Sequence, residues 1–261
     1  DSSSKVRLKA ALKLKDKRFL KEVLNSDFNF NEMRNIINEI NDDELLFEMF
    51  QHLSLYDLKM KIIKKIKDPE IQFELYKYVL DDSYYRDYRE EVIHNLNFND
   101  EDKLFKAFEL ETDSQLKALI FSKFKTANTF EKVFLHDSDA QFKCDSISHV
   151  ENQDILMNVI YGDFTAKTKL NAFENLNQKH SFDVFNDLSL DNNLRLRALS
   201  NIRNDDFLID VCRNAGSISV ILSALSNIDD EEFVRNFGLE HENWKVRSLA
   251  ISKIDDNDLL M

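Results

Sequence analysis

The chain has 261 residues, enough to bury a core without metal or disulfide staples, and its two cysteines, Cys144 and Cys212, make no framework of bridges. Three Gly and one Pro starve it of the turn residues that sandwiches, barrels and Gly-rich nucleotide folds need, so the class is all-α. Against 35 Lys+Arg stand 48 Asp+Glu, a net charge of −13, which disfavours any partner held mainly by its phosphates.

An internal repeat organises the chain. The last apolar residue before each Asp/Asn-rich break is, in order, Leu14, Ile40, Ile66, Leu96, Phe124, Val150, Leu176, Ile202, Ile228 and Ile254. The spacings are 26, 26, 30 and 28, then 26 five times over, so the two long intervals are adjacent insertions of four and two residues. Three and four residues before each anchor stand further small or apolar side chains, as in Ile36-Ile37 and Ala224-Leu225. Together these positions trace one face of an amphipathic helix. A second stripe follows each break, as in Leu45, Leu46 and Met49, then Ile155, Leu156 and Val159. Each unit is therefore a pair of helices. The expected architecture is one domain over residues 1–261: a right-handed α-solenoid, or superhelix, of about ten antiparallel helix pairs, the second helices lining its concave face.

The first predicted helix lies in a basic stretch. Lys5 to Lys21 holds eight cations opposed only by Asp16. It reads as the solvated face of a terminal helix, with docking on an anionic membrane or nucleic acid as the alternative. Further on, Asp42-Asp43-Glu44, Asp205-Asp206 and Asp229-Asp230 stand where second helices begin. There they offer acceptors to free backbone N–H groups and negative charge to the helix dipole. Asp68-Pro69-Glu70 adds Pro at a first helical position.

Beside the insertion after Leu80 lie five of the seven tyrosines, Tyr76, Tyr78, Tyr84, Tyr85 and Tyr88. Tyr88 falls on an apolar column and reads as core. Tyr76, Tyr84 and Tyr85 are the candidate partner contacts, because Tyr couples a rigid apolar body to a polar tip. Later in the chain, His136, Cys144 and His149 match no zinc spacing and read as polar surface and buried thiol. The chain starts in frame with a repeat and stops partway into a second helix, so it reads as a piece of a longer array.

Seven residues before the anchors runs a basic column: Arg7, Lys59, Arg89, Lys117, Lys143, Lys169, Arg195 and Arg247, with Met33 and Ile221 as its exceptions. It adjoins core positions, which favours a structural role over a cation ladder for phosphates. Val6-Arg7 with Ala10, and Val246-Arg247 with Ala250, resemble the Val-Arg-x-x-Ala pattern of HEAT-like, armadillo-type repeats. The stretch from Ile66 to Leu75 resembles the short HEAT-like units of bilin lyase subunits and related scaffolds. The resemblance covers essentially the whole chain and implies a fold, not an activity. It further implies that the basic column pairs with acids of neighbouring units, for which Asp113, Asp139, Asp163 and Asp191 are candidates. A 26-residue unit is shorter than the ~40 to 47 residues of standard HEAT repeats. A leucine-rich repeat variant with abbreviated second helices is therefore the alternative.

No nucleophile elbow, P-loop or His-Glu-x-x-His motif occurs, and three glycines cannot build a phosphate cradle. No catalytic residue, cofactor or metal is assigned. The expectation is a non-enzymatic protein–protein interaction scaffold that binds a basic protein or peptide in the groove near residues 76–110. The first alternative is a nucleic-acid-binding or base-excision solenoid, against which acids outnumber bases along the second helices. The second, implied by resemblance alone, is a lyase-type subunit acting on a prosthetic group. No run of ~18 apolar residues is present to span a membrane. Two unpaired cysteines and the lack of an Asn-x-Ser/Thr sequon point to a reducing, cytoplasmic setting.

Overall fold

The apolar columns become the buried faces of helices. The structure, a computed structural model, describes residues 4–14, 30–80, 85–96 and 101–254, and every regular element among them is helical. Asp255-Asp256, Tyr84, most of the Lys5–Lys21 run and the insertions at 81–84 and 97–100 lie outside the described residues. The chain divides into two compact units, Asp1–Lys125 and Thr126–Met261.

In the first unit α1 (Ser4–Leu14) and α2 (Phe30–Glu39) precede α3 (Asp43–His52), α4 (Tyr56–Lys65), α5 (Pro69–Leu80), α6 (Arg86–Asn95), α7 (Glu101–Leu110) and α8 (Ser114–Phe121). The second contains α9 (Ala127–His136), α10 (Ala140–Ser146), α11 (Gln153–Tyr161), α12 (Ala166–Asn171), α13 (Gln178–Asn186), α14 (Asn192–Ser200), α15 (Asp205–Asn214) and α16 (Ile218–Asn227). Last come α17 (Glu231–Phe233) and α18 (Trp244–Lys253). Sequence neighbours pack in pairs, as α5 on α6, α13 on α14 and α15 on α16.

Within each unit the predicted anchors are buried, and so are the columns three and four residues before them: Ile62, Ile63 and Ile66 in one repeat, Ala198, Leu199 and Ile202 in another. Phe121 is half-buried, and the exposed exceptions lie at the two ends of the described chain, where neighbouring helices are described on one side only. Leu14 is 73% exposed and Ile251 50%. The final second helix also departs from regularity. After Phe233 the backbone opens into a π-turn over Val234–Gly238, and a Cβ on Gly238 would lie 2.3 Å from that of Ala250. Only a glycine permits this approach to α18.

The breaks act as helix punctuation, with more division of labour than the acidic runs suggest. Asp42 accepts from Leu45 N–H, Asp68 from Glu70 and Ile71, Asn204 from Phe207 and Asp230 from Phe233. First helices are capped eleven residues before their anchors by Asp113, Asp139, Thr165, Asp191 and Asn243. Asp43 and Asp205 instead reach one repeat onward: Asp43 accepts from the backbone N–H groups of Lys67 and Asp68, and Asp205 from those of Asp229 and Asp230.

A donor ladder runs the opposite way. The residue just before the anchor bonds free carbonyls at the C-terminal end of the first helix one repeat earlier. Lys65 reaches the carbonyls of Ile37 and Asn38, and Lys123 those of His94 and Leu96. Asn175 reaches Ser148 and Val150, Asn201 reaches Phe173, and Asn227 reaches Leu199 and Ser200. Lys253 meets Leu225, Ser226 and Ile228. Helix ends leave carbonyls without intrahelical partners, and a cation there also complements the dipole. These ladders tie each repeat to the next by polar bonds as well as by apolar contact.

Candidate interaction surfaces

Of the three candidate tyrosines, Tyr84 lies outside the described residues and Tyr76 requires correction. Tyr76 is fully buried and offers nothing to a partner. It departs from the simple apolar stripe because its hydroxyl has a buried acceptor. Tyr76 Oη donates to Glu111 at 2.9 Å and lies 3.3 Å from the Ala107 carbonyl. The other Glu111 oxygen accepts from Arg89 Nη1 and from the backbone N–H groups of Thr112 and Asp113, each at 3.0 Å. Burial, then the adjacent carboxylate, push the Tyr76 hydroxyl far above its ordinary pKa. Arg89 Nε meets no acceptor among the described residues. This network fastens α5, α6 and the end of α7 together; it is a packing device.

Tyr85 is half-buried and joins an aromatic cluster drawn from α3, α4, α5 and α6. Its ring lies 5.4 Å from Tyr88, which stacks on Tyr56 at 5.2 Å and meets Phe50 edge-on at 5.7 Å. Inside this cluster sits Lys59 of the basic column, its Nζ 4.6 Å from the Phe50 centroid, 5.3 Å from Tyr85 and 5.8 Å from Tyr88. Burial pulls its pKa down. The box already holds the chain's own cation.

Several cations of the basic column lie over aromatic rings. Lys117 lies over Phe108, Lys143 over Phe134 and Arg195 over Phe185, with separations of 4.5, 5.7 and 5.6 Å. The ring belongs in each case to the preceding second helix, nine or ten residues earlier, where the cation covers the negative π-face. Arg247 donates to the carbonyls of His241 and Glu242, and Arg7 is exposed. Lys169 is half-buried. Of the acids proposed as its partners, Asp113, Asp139 and Asp191 are helix caps and Asp163 is exposed. Within the column, Arg89 pairs with Glu111. Asp113 binds Arg86 instead at 3.1 Å, and its backbone N–H donors with that guanidinium hold its pKa below the usual carboxylate range.

The surface missed in the sequence is a row of exposed apolar side chains at the C-terminal ends of second helices. Tyr78 and Leu110 mark it in the first unit. The second unit has its own set, Leu135 (51% exposed), Tyr161 (46%) and Leu188 (79%), the last in the turn after α13. The signal was present: each lies eleven to fourteen residues after an anchor, out of phase with the core stripe. The second helices of the second unit are joined at their N-terminal ends. Asn152, which caps α11, donates to Glu131 of α9, and Gln153 accepts from the Asn177 N–H ahead of α13, so the three helices are linked in order. The Phe164 ring folds back on Gly162, where a Cβ would meet it at 3.0 Å, and lies 5.8 Å from Phe134. The Tyr161 hydroxyl lies near Asp187: burial and then this carboxylate push the Tyr161 pKa up, while bonds from Ser189 lead in holding that of Asp187 down.

The charge around that patch is negative. Residues 126–261 carry 13 Lys+Arg against 23 Asp+Glu, which leaves −10 of the total −13 in this unit. Asp137, Asp163, Asp183 and Asp187 are near in sequence to members of the apolar row, where the cations are Lys132 one turn before Leu135, Lys143 over Phe134 and Arg195 acting on Asp187. A different surface lies in the first unit, where a cavity of about 610 Å³ is lined by Phe30, Arg34, Tyr56, Asp57, Lys61 and Lys64, a cationic set.

Cys144 and Cys212 are buried, and burial pushes the Cys212 thiol up to about 12, far from a reactive thiolate. His149 stacks on Phe130 at 4.3 Å. Among the described residues no group of three or more His, Cys, Asp or Glu is placed to hold a metal ion, and no helix is long and apolar enough to cross a membrane. No protein-family model matches the chain, and neither a curated protein nor a solved structure matches it.

Proposed function

We propose that the chain is a non-enzymatic protein–protein interaction scaffold, built as a HEAT-like α-solenoid whose helix pairs run antiparallel. The solenoid reading is supported by the donor and acceptor ladders, which join each repeat to its sequence neighbour at separations of 24 to 28 residues. Such nearest-neighbour stacking is the economy of repeat proteins, in which a unit cannot bury its apolar face alone.

The observation that carries the scaffold reading is the exposed apolar residue that recurs at the ends of second helices within each unit, Tyr78 and Leu110 in the first, Leu135, Tyr161 and Leu188 in the second. Scattered exposed apolar residues are ordinary, whereas a row in repeat register is a candidate contact surface. Its acidic surroundings favour a basic partner, and they oppose a nucleic-acid backbone. The buried cysteines suit a reducing compartment such as the cytoplasm.

Affinity purification of the full chain from its native source, read by mass spectrometry, tests this reading. The expected result is one basic protein recovered in near-equal amount and lost as salt is raised to about 0.5 M. Recovery of chaperones alone would overturn it. A gel shift at low salt is expected to show no tight complex with DNA or RNA.

A further inference from the structure

The cavity of about 610 Å³ in the first unit is lined from α2 and α4, first helices of consecutive repeats that pack on each other. Rings stand at one end of it. Phe30 and Tyr56 hold the same place in their repeats, ten residues before the anchors Ile40 and Ile66, and are 39% and 48% exposed. Tyr56 stacks on Tyr88 at 5.2 Å, and a flat ring entering the cavity would extend that stack. Cations stand farther along. Arg34 follows Phe30 by four residues, while Lys61 and Lys64 follow Tyr56 by five and eight, about 7.5 and 12 Å along the helix axis.

The charges divide in the same direction. Arg34 and Lys61 enter no ion pair among the described residues, whereas Lys64 has Glu91 at 3.7 Å. Lys65 registers the uncompensated charge, since burial and then Lys61 pull its pKa down. Asp57 lines the cavity beside the rings, and after burial it is Asp87, Asp57 and Glu91 that push the Tyr56 hydroxyl above its ordinary pKa. Of the α2 acids, Glu32 stands in the first turn, outside the lining, and Glu39 holds Lys9 at 3.1 Å. Glu91 thus offsets Lys64, which leaves Arg34 and Lys61 in excess. A ligand matched to this order carries an aromatic ring with hydrogen-bond donors at one end and anionic oxygens at the other.

We propose that the cavity between α2 and α4 binds a nucleoside phosphate, its base laid on Tyr56 beside Phe30, with base or sugar donors toward Asp57 and phosphate oxygens toward Arg34, Lys61 and Lys64. Side chains on two helix flanks meet the phosphates, so no glycine cradle is needed. The site uses other residues than the scaffold reading, in the other unit, and neither assignment depends on the other.

Isothermal titration calorimetry of the full chain at low salt, with ADP as the probe, tests the proposal. Adenosine supplies the ring without phosphate, and pyrophosphate the anion without a ring. ADP is expected to bind with a Kd below about 1 mM, and each half at least about tenfold more weakly. Arg34→Gln with Lys61→Gln should weaken ADP at least about tenfold and leave adenosine unchanged. Tyr56→Leu should weaken ADP and adenosine alike, because it removes the stacking surface. Lys77→Gln, on α5 and outside the cavity, should change neither. All variants should keep the wild-type helical circular dichroism; if Tyr56→Leu does not, Phe30→Leu takes its place with the same expected result. Absence of binding by ADP up to about 1 mM, pyrophosphate binding equal to that of ADP, or affinity of the double glutamine variant within about twofold of wild type overturns the proposal. So does protection from hydrogen exchange by ADP that spares both α2 and α4.

Discussion

The two units solve one problem with different side chains. Residues 126–254 keep a strict 26-residue period, so a short side chain at a fixed place meets the same backbone group in every repeat. Asn175, Asn201 and Asn227 serve the ladder there, with Lys253 at its last described step. The first unit has its period broken by insertions of four and two residues and relies on longer or more specialised groups. Lys65 and Lys123 replace Asn in its ladder, Leu55 and Tyr85 precede first helices without a side-chain cap bond, and the Tyr76–Glu111–Arg89 network holds the interrupted pairs together. Regular spacing lets small polar groups work by repetition; broken spacing concentrates the load on one buried site.

The sharpest way to break this contrast is to remove the first unit's buried charge. Glu111→Ala leaves Arg89 buried without its acceptor and should cost about 3–5 kcal/mol, measured by equilibrium urea unfolding. Tyr76→Phe, Arg89→Met and Glu111→Leu together should recover most of that loss, because an apolar trio needs no mutual compensation. If Glu111→Ala costs less than ~1 kcal/mol, the network is not the keystone of this unit.

In the second unit the most damaging small change is Gly238→Ala. The new methyl would meet Ala250 at 2.3 Å, an overpacking expected to cost about 1–3 kcal/mol. Gly216→Ala, which meets nothing within 4 Å, should be neutral or slightly stabilising. Equal thermal midpoints for the two variants would refute the close approach.

Exchanging ladder residues sharpens the comparison further. Asn201→Ala should lose about 1 kcal/mol by freeing the Phe173 carbonyl, whereas Asn201→Lys should lose less, since Lys fills this place in the first unit. Of similar size, Asp139→Ala removes a helix cap at about 1 kcal/mol, and Ser217→Asp should add a few tenths where the cap bond is missing. The smallest effect is one of pH. Asp113 titrates below its ordinary 3.8 in the folded chain, so its contribution is complete above the unfolded value and is lost as the pH falls through the depressed native one. Asp113→Asn should flatten the acid limb of the stability curve below about pH 4 and leave the neutral region little changed.

Fold class, repeat period and the core columns were legible because burial repeats with the helical period, and composition alone excludes the folds that need Gly and Pro. Helix punctuation by Asp and Asn was equally legible, since a cap acts within its own turn: Asp42 and Asp68 bond groups two or three residues away. What the sequence could not decide were contacts formed across one repeat or more. Tyr76 looked free because it lies off the regular stripe, and only the arrival of Glu111, 35 residues later, makes its burial favourable. The rings that Lys59, Lys117, Lys143 and Arg195 of the basic column meet, those of Phe50, Phe108, Phe134 and Phe185, are chosen by how neighbouring helices pack. The exposed residues ending at Leu188 are marked in the sequence only by their offset from the anchors. An apolar side chain near a helix end is core or surface according to which neighbour covers it, and that is settled in three dimensions.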